Sequence, residues 1–174
     1  MIAVLMFSMA QAPAVDLDQP MAEVDGWSIY RNSLDKTCHA ISLYENGEGV
    51  IVFYDAAHKD SKVAFTEKNA TSLKDDEERT INVYLQKNTG KIDDGWEDVK
   101  FTAHITEQGR PMLFSQSLLP PFLDDFAKSR SLAFFYGTKK IAAYKLGKSA
   151  DVAKALRKCA MKEAGINPLD PFAN

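Results

Sequence analysis

Apolar side chains recur at every second position in two stretches of this chain. Ile81, Val83 and Leu85 fall on one side of an extended segment, with Asn82, Tyr84 and Gln86 on the other. Val99, Phe101, Ala103 and Ile105 alternate in the same way with Lys100, Thr102, His104 and Thr106. A period of two marks a strand with one buried face, and antiparallel sheets tolerate a wet second face. Shorter segments follow the same rule. Trp27-Ser28-Ile29-Tyr30 comes straight after Asp25-Gly26, and the runs 37–44 and 49–54 flank Glu45-Asn46-Gly47-Glu48. Asn-Gly between two apolar runs predicts a hairpin, because the tight turn needs positive φ at its centre. Val63-Ala64-Phe65 and Met112-Leu113-Phe114 predict two further strands, and the runs 131–136 and 139–146 around Gly137-Thr138 predict a second hairpin. Residues 67–79 read as a polar connection and residues 88–96 as a turn-rich loop.

Two segments switch to the helical period. Pro120-Pro121 opens a short helix over 122–129, with Phe122, Leu123 and Phe126 on one side and Asp124 and Asp125 in the first turn. A last helix begins at Ser149, read as its N-cap. It carries the stripe Val152, Ala155, Leu156, Cys159 and Ala160, and ends at Gly165 ahead of Pro168. The fold expected is mainly β (α+β): one antiparallel β-sandwich-like domain over 27–165, with a short helix before the last hairpin and a C-terminal helix. Residues 15–26 read as an extended linker and 166–174 as a tail.

The N-terminus adds a compartment. The apolar run Ile2-Ala3-Val4-Leu5-Met6-Phe7 precedes the small-residue triplets Ala10-Gln11-Ala12 and Ala12-Pro13-Ala14. Residues 1–14 therefore read as a signal peptide or its remnant, although no Lys or Arg occurs before Arg31 to supply a basic start. The competing reading, a buried first element, is weakened by the two prolines and absent periodicity of residues 11–20. No later apolar run approaches the roughly 18 residues a membrane span needs. A periplasmic or secreted protein is expected, with no membrane span. A formal net charge of −3 gives no general attraction to nucleic acid. The densest basic group, Lys139, Lys140, Lys145 and Lys148, reads as a solvated face.

Only two cysteines occur, Cys38 and Cys159, 121 positions apart. In an exported chain they read most simply as one structural disulfide; two buried free thiols are the alternative. Zinc is not expected, because Cys38 and His39 are neighbours on a strand and project to opposite faces, and no CxxC spacing occurs.

The order of these pieces carries a resemblance. "GWSIY", a nearby "TC", a β meander and then "FLDDFAKSRSLAFFYGTKKIAAYKLGKSADVAKALRKC" resemble small periplasmic proteins of alphaproteobacteria, of which the invasion-associated locus B proteins are a named relative. The matching positions are Trp27, Cys38, Gly147, Ser149, Ala150, Ala153, Leu156 and Cys159. That family tends to carry a further cysteine pair, which this chain lacks. The resemblance implies a β-sandwich-like periplasmic module with a Cys38–Cys159 bridge, and it implies no catalytic residues.

Residue chemistry points weakly to activity. His104 sits on the polar side of its strand. His58 lies in a turn where Asp55 or Asp60 is placed to orient its ring, and His39 adjoins Cys38. No GxSxG elbow, P-loop or dinucleotide fingerprint is present. Asp93-Asp94-Gly95-Trp96-Glu97-Asp98 gathers carboxylates but misses the calcium-loop spacing, so neither metal nor cofactor is expected. Tyr84, on a polar strand face, and Trp96 suggest an aromatic recognition surface. The leading expectation is a non-enzymatic exported binding or protein-interaction module, with Trp96, Asp93, Asp94, Tyr84 and His58 as binding residues and an envelope protein or glycan as partner. The alternatives are a secreted hydrolase using His58 or His39 with nearby carboxylates, and an enzyme inhibitor presenting residues 93–98.

Overall fold

The computed structural model describes residues 20–32, 35–45, 47–67, 69–87, 92–118 and 121–167, with only the backbone at 92–94. The signal-peptide segment 1–14 and all but the first two residues of the tail 166–174 lie outside the described residues. Ten strands and two helices are present among the described residues: β1 (Ala22–Val24), β2 (Trp27–Asn32), β3 (Thr37–Leu43), β4 (Gly49–Asp55), β5 (Asp60–Thr66), β6 (Glu78–Lys87), β7 (Ile92–Ile105), β8 (Pro111–Ser115), α1 (Phe122–Ala127), β9 (Ser129–Tyr136), β10 (Lys139–Lys145) and α2 (Ser149–Glu163). The strands form one sheet in the order β1-β2-β3-β4-β5-β8-β7-β6-β9-β10, and every ladder is antiparallel.

Registers place the apolar row of each strand on the same face of this sheet. Trp27 and Ile29, Ala40, Val52, Val63 and Phe65, Leu113, Phe101, Ile81 and Val83, and Leu132 and Phe134 are all buried there. A sheet this wide with one apolar face must be covered or must curl. It curls. The Phe65 ring on β5 stacks on Phe134 of β9 with centroids 3.9 Å apart, although β8, β7 and β6 lie between them in the sheet. Where a sandwich would have two sheets, one continuous sheet bends over its own core.

The two sheet edges approach without forming a ladder. Three side chains tie β10 and the residue after it across this seam to β2, to the end of β3 and to β5. The Trp27 indole N–H donates to the Leu146 carbonyl (3.2 Å), the Tyr44 hydroxyl to Lys145 (2.8 Å) and the Tyr144 hydroxyl to Thr66 (2.8 Å). Burial pushes the Tyr144 phenol well above its ordinary value, keeping it a donor.

Several local expectations hold. Gly47 takes φ +77° in the β3–β4 turn, and Gly165 takes φ +69° after α2. At that helix end Ile166 N–H donates to Met161 and Gly165 N–H to Lys162, the two bonds of a Schellman cap. Others are corrected. The linker segment 15–26 contains β1, joined to β2 by Asp25-Gly26 with positive φ at both residues. The loop read over 88–96 is shorter, because β7 starts at Ile92. Ser149 is not the N-cap. It is the first helical residue, buried, and its hydroxyl donates to the Ser129 carbonyl (2.7 Å), tying α2 to the start of β9. Asp25 reaches the helix start instead, accepting from Lys148 N–H (3.1 Å). Gly147 takes φ +58° there, and a Cβ would also displace that carboxylate, 2.5 Å away, so glycine suits the position.

Helix α2 packs on α1 and on β1 to β4. Cys38, on the buried face of β3, is disulfide-bonded to Cys159 on the buried stripe of α2, with Cα atoms 6.0 Å apart. The bridge is consistent with an oxidising compartment. No helix among the described residues is long and apolar enough to cross a membrane. Closing 121 positions is worth about 4 to 5 kcal/mol through the unfolded chain's lost entropy. Urea denaturation of the Cys38→Ala/Cys159→Ala protein should therefore show a loss of that order against the oxidised protein; a loss under about 1 kcal/mol would show that packing alone seats α2.

Candidate functional site

The helices stand at one end of the curled sheet, where Trp96 meets Phe122 of α1 with ring centroids 5.1 Å apart. At the other strand ends the core opens. There the inward rows run out from Phe65 to Glu67, from Ile81 to Arg79 and from Phe134 to Tyr136. A cavity of about 430 Å³ lies at this end. Ile81 and Leu113 form its buried floor, Leu73, Tyr136 and Ile141 line it, and Glu67, Asn69, Ser72, Arg79, Lys139 and Lys140 supply its polar groups. The volume lies within the range of small-molecule sites.

Local structure explains the lining. Lys140 pairs with Phe135 and Ala142 with Phe134, so Ile141 is an extra residue in β10. A bulge of this kind turns the strand and re-aims its side chains, and here consecutive Lys140 and Ile141 both reach the cavity. Leu73 is carried by the connection from β5 to β6, held by Leu73 N–H to Ala70, Lys74 N–H to the Glu77 carboxylate and Asp76 N–H to Ala103. Arg79 is fixed by an ion pair with Glu77 and a bond from its Nη1 to the Glu78 carbonyl (3.3 Å).

Residues expected to bind lie elsewhere. Trp96 is half-buried on Phe122. The Tyr84 ring covers Gly95, where a Cβ would come within 2.6 Å of it, and its hydroxyl reaches Glu97 (3.3 Å). This is an aromatic ring shielding a strand glycine on the outer face. Asp93 and Asp94 belong to β7, and their side chains lie outside the described residues. His58 sits on an exposed turn with Nδ1 2.5 Å from Asp55 Oδ2. The hydrogen bond to Asp55 raises its pKa. Slight burial of Asp55 opposes ionisation, but bonds from the His58 ring and the amides of His58 and Ala57 outweigh it and hold that carboxyl low. His104 Nδ1 lies 3.8 and 3.7 Å from Asp75 and Asp76 carboxylate oxygens, all three side chains exposed. Sequence reasoning missed the cavity as a site and read Lys139 and Lys140 as a solvated face.

His39 is the anomaly of the outer face. Its ring is 2% exposed, between Tyr30 (centroids 5.8 Å) and Phe53 (5.6 Å), and neither ring nitrogen has a hydrogen-bond partner among the described residues. Burial lowers its pKa, against a smaller opposing effect of Asp35. With the folded value below the ordinary 6.5, the unfolded chain binds more protons between the two. Stability from this site is present above 6.5 and is lost as pH falls through the folded value. Denaturation at about pH 7.5 and pH 5 should show a larger acid loss in the native protein than in His39→Phe, in which the His58 contribution is unchanged and cancels. Equal losses would show that folding leaves the proton affinity of His39 unchanged. No protein-family model, curated protein or solved structure matches the chain, so its functional reading rests on this geometry.

Proposed function

We propose that the chain is an exported, non-enzymatic binding module that holds a small, partly apolar ligand in the open end of its curled sheet. The cavity of about 430 Å³ carries this reading. It has a floor of core side chains and a few polar groups on elements that the fold fixes, which is the composition of a ligand site. The facing of the two sheet halves, with Phe65 stacked on Phe134, supports it by giving the cavity a packed floor. The disulfide, the apolar N-terminal run and the resemblance to invasion-associated locus B proteins support a periplasmic or secreted setting.

A hydrolase has less support. His58 is on an exposed turn outside this lining, and His39 is sealed between rings. An inhibitor presenting residues 93–98 is disfavoured by the packing of Trp96 on α1.

Amide shifts in ¹H–¹⁵N spectra, followed while small amphiphiles are added, test the proposal. Saturable changes are expected at Leu73, Ile81, Leu113 and Ile141. Ile141→Trp, which fills the cavity, should weaken binding at least about ten-fold while leaving the denaturation midpoint in place. Changes confined to the outer face, or undiminished binding by Ile141→Trp, would overturn it.

A further inference from the structure

The polar groups of the cavity are unevenly charged. Arg79 extends the inward row of Ile81, Val83 and Leu85, so a guanidinium stands where that row has carried aliphatic groups. Two of its N–H groups are used by Glu77 and the Glu78 carbonyl; the others meet no acceptor among the described residues. Lys139 and Lys140 follow on the rim, brought there by the β9–β10 turn and the bulge, and neither has an ion-pair partner among the described residues. Glu67 is the lining carboxylate. Even with Glu77 counted against Arg79, cations outnumber acids at the opening, in a chain whose formal net charge is −3. An excess of one sign against the overall charge, beside low-dielectric walls, draws a ligand of the opposite sign.

We infer that the ligand is a free, single-bodied amphiphile with one carboxylate- or phosphate-type head, the head held by Lys139, Lys140 and Arg79 and the apolar body lying against Leu73, Ile81, Leu113 and Ile141. The inference rests on the reading of this open end as a ligand site and names the chemistry it selects. Lysine ammonium groups and a tethered guanidinium suit a compact anion, since charge-assisted bonds are the strong ones. Tyr136, 54% exposed at the rim, adds a ring that covers part of the body and a hydroxyl near the head.

Calorimetric titration of the full chain with decanoate, decanol and decyltrimethylammonium, each kept monomeric, tests it. Decanoate should bind tightest and weaken with added salt. Lys139→Gln/Lys140→Gln, both changes on an exposed hairpin, should weaken decanoate about ten-fold and leave decanol unchanged. Arg79→Gln should act in the same direction, its folding checked separately because it also releases Glu77. Decanol or the cation binding as tightly as decanoate would overturn the anion preference while leaving the cavity a ligand site. No binding of any of the three would overturn both. Association with phosphatidylglycerol vesicles in place of monomeric decanoate would also overturn the inference, by making this rim a membrane contact.

Discussion

The fold depends on how one apolar face of a ten-stranded sheet is removed from water. Two helices of six and fifteen residues are too small to cover it, so the sheet must cover itself. Curling brings β5 against β9 and β10 back toward β2. The last step is not made by backbone pairing, since no ladder joins β10 to β1 or β2. Trp27, Tyr44 and Tyr144 make it instead, the rings of Trp27 and Tyr144 in the core and that of Tyr44 against its margin, each with a donor on a carbonyl of the opposite side. Aromatic residues with a polar tip are suited to such a seam, since burial and hydrogen bonding are met by one side chain. The disulfide then locks α2 across the β1 to β4 half and fixes which end of the curled sheet is stoppered.

Stoppering one end leaves the other exposed. With Phe122 and Phe126 of α1 filling the helix end, the strand ends at Glu67, Arg79 and Tyr136 have no helix over them, only the connection that carries Leu73. A cavity there is a consequence of the architecture: the sheet is wide enough to curl and has too little helix to cap both ends. The exposed lysines of the β9–β10 hairpin, Lys139 and Lys140, take no part in the seam bonds or the bridge.

Local features of the fold were legible in the sequence because they are encoded locally. The alternation in β6 and β7, the Asn-Gly turn and the Gly165 helix stop each need only a few neighbouring residues. The seam joins Trp27 to Leu146, 119 positions on, and nothing in either neighbourhood announces it. Ser149 misled for a related reason. Its position suits an N-cap, but its hydroxyl is taken by carbonyls from the α1–β9 junction. Strand β1 is only three residues long and becomes visible once β2 offers an edge.

The candidate site was hidden by the same distinction, although one signal was present. Arg79 keeps the parity of Ile81, Val83 and Leu85, and Tyr136 keeps that of Leu132 and Phe134. A charged residue that continues a buried row marks the point where that row meets water, since an unpaired charge does not stay in a core. Two strands that are neighbours in the sheet, each ending its apolar row in a polar group, mark an opening. Reading that opening from sequence requires knowing that β6 and β9 are adjacent, which only the topology supplies. Lys139 and Lys140 alone looked like any exposed pair. Their meaning comes from the extra residue beside them, which brings a lysine and an isoleucine in sequence to the same cavity wall.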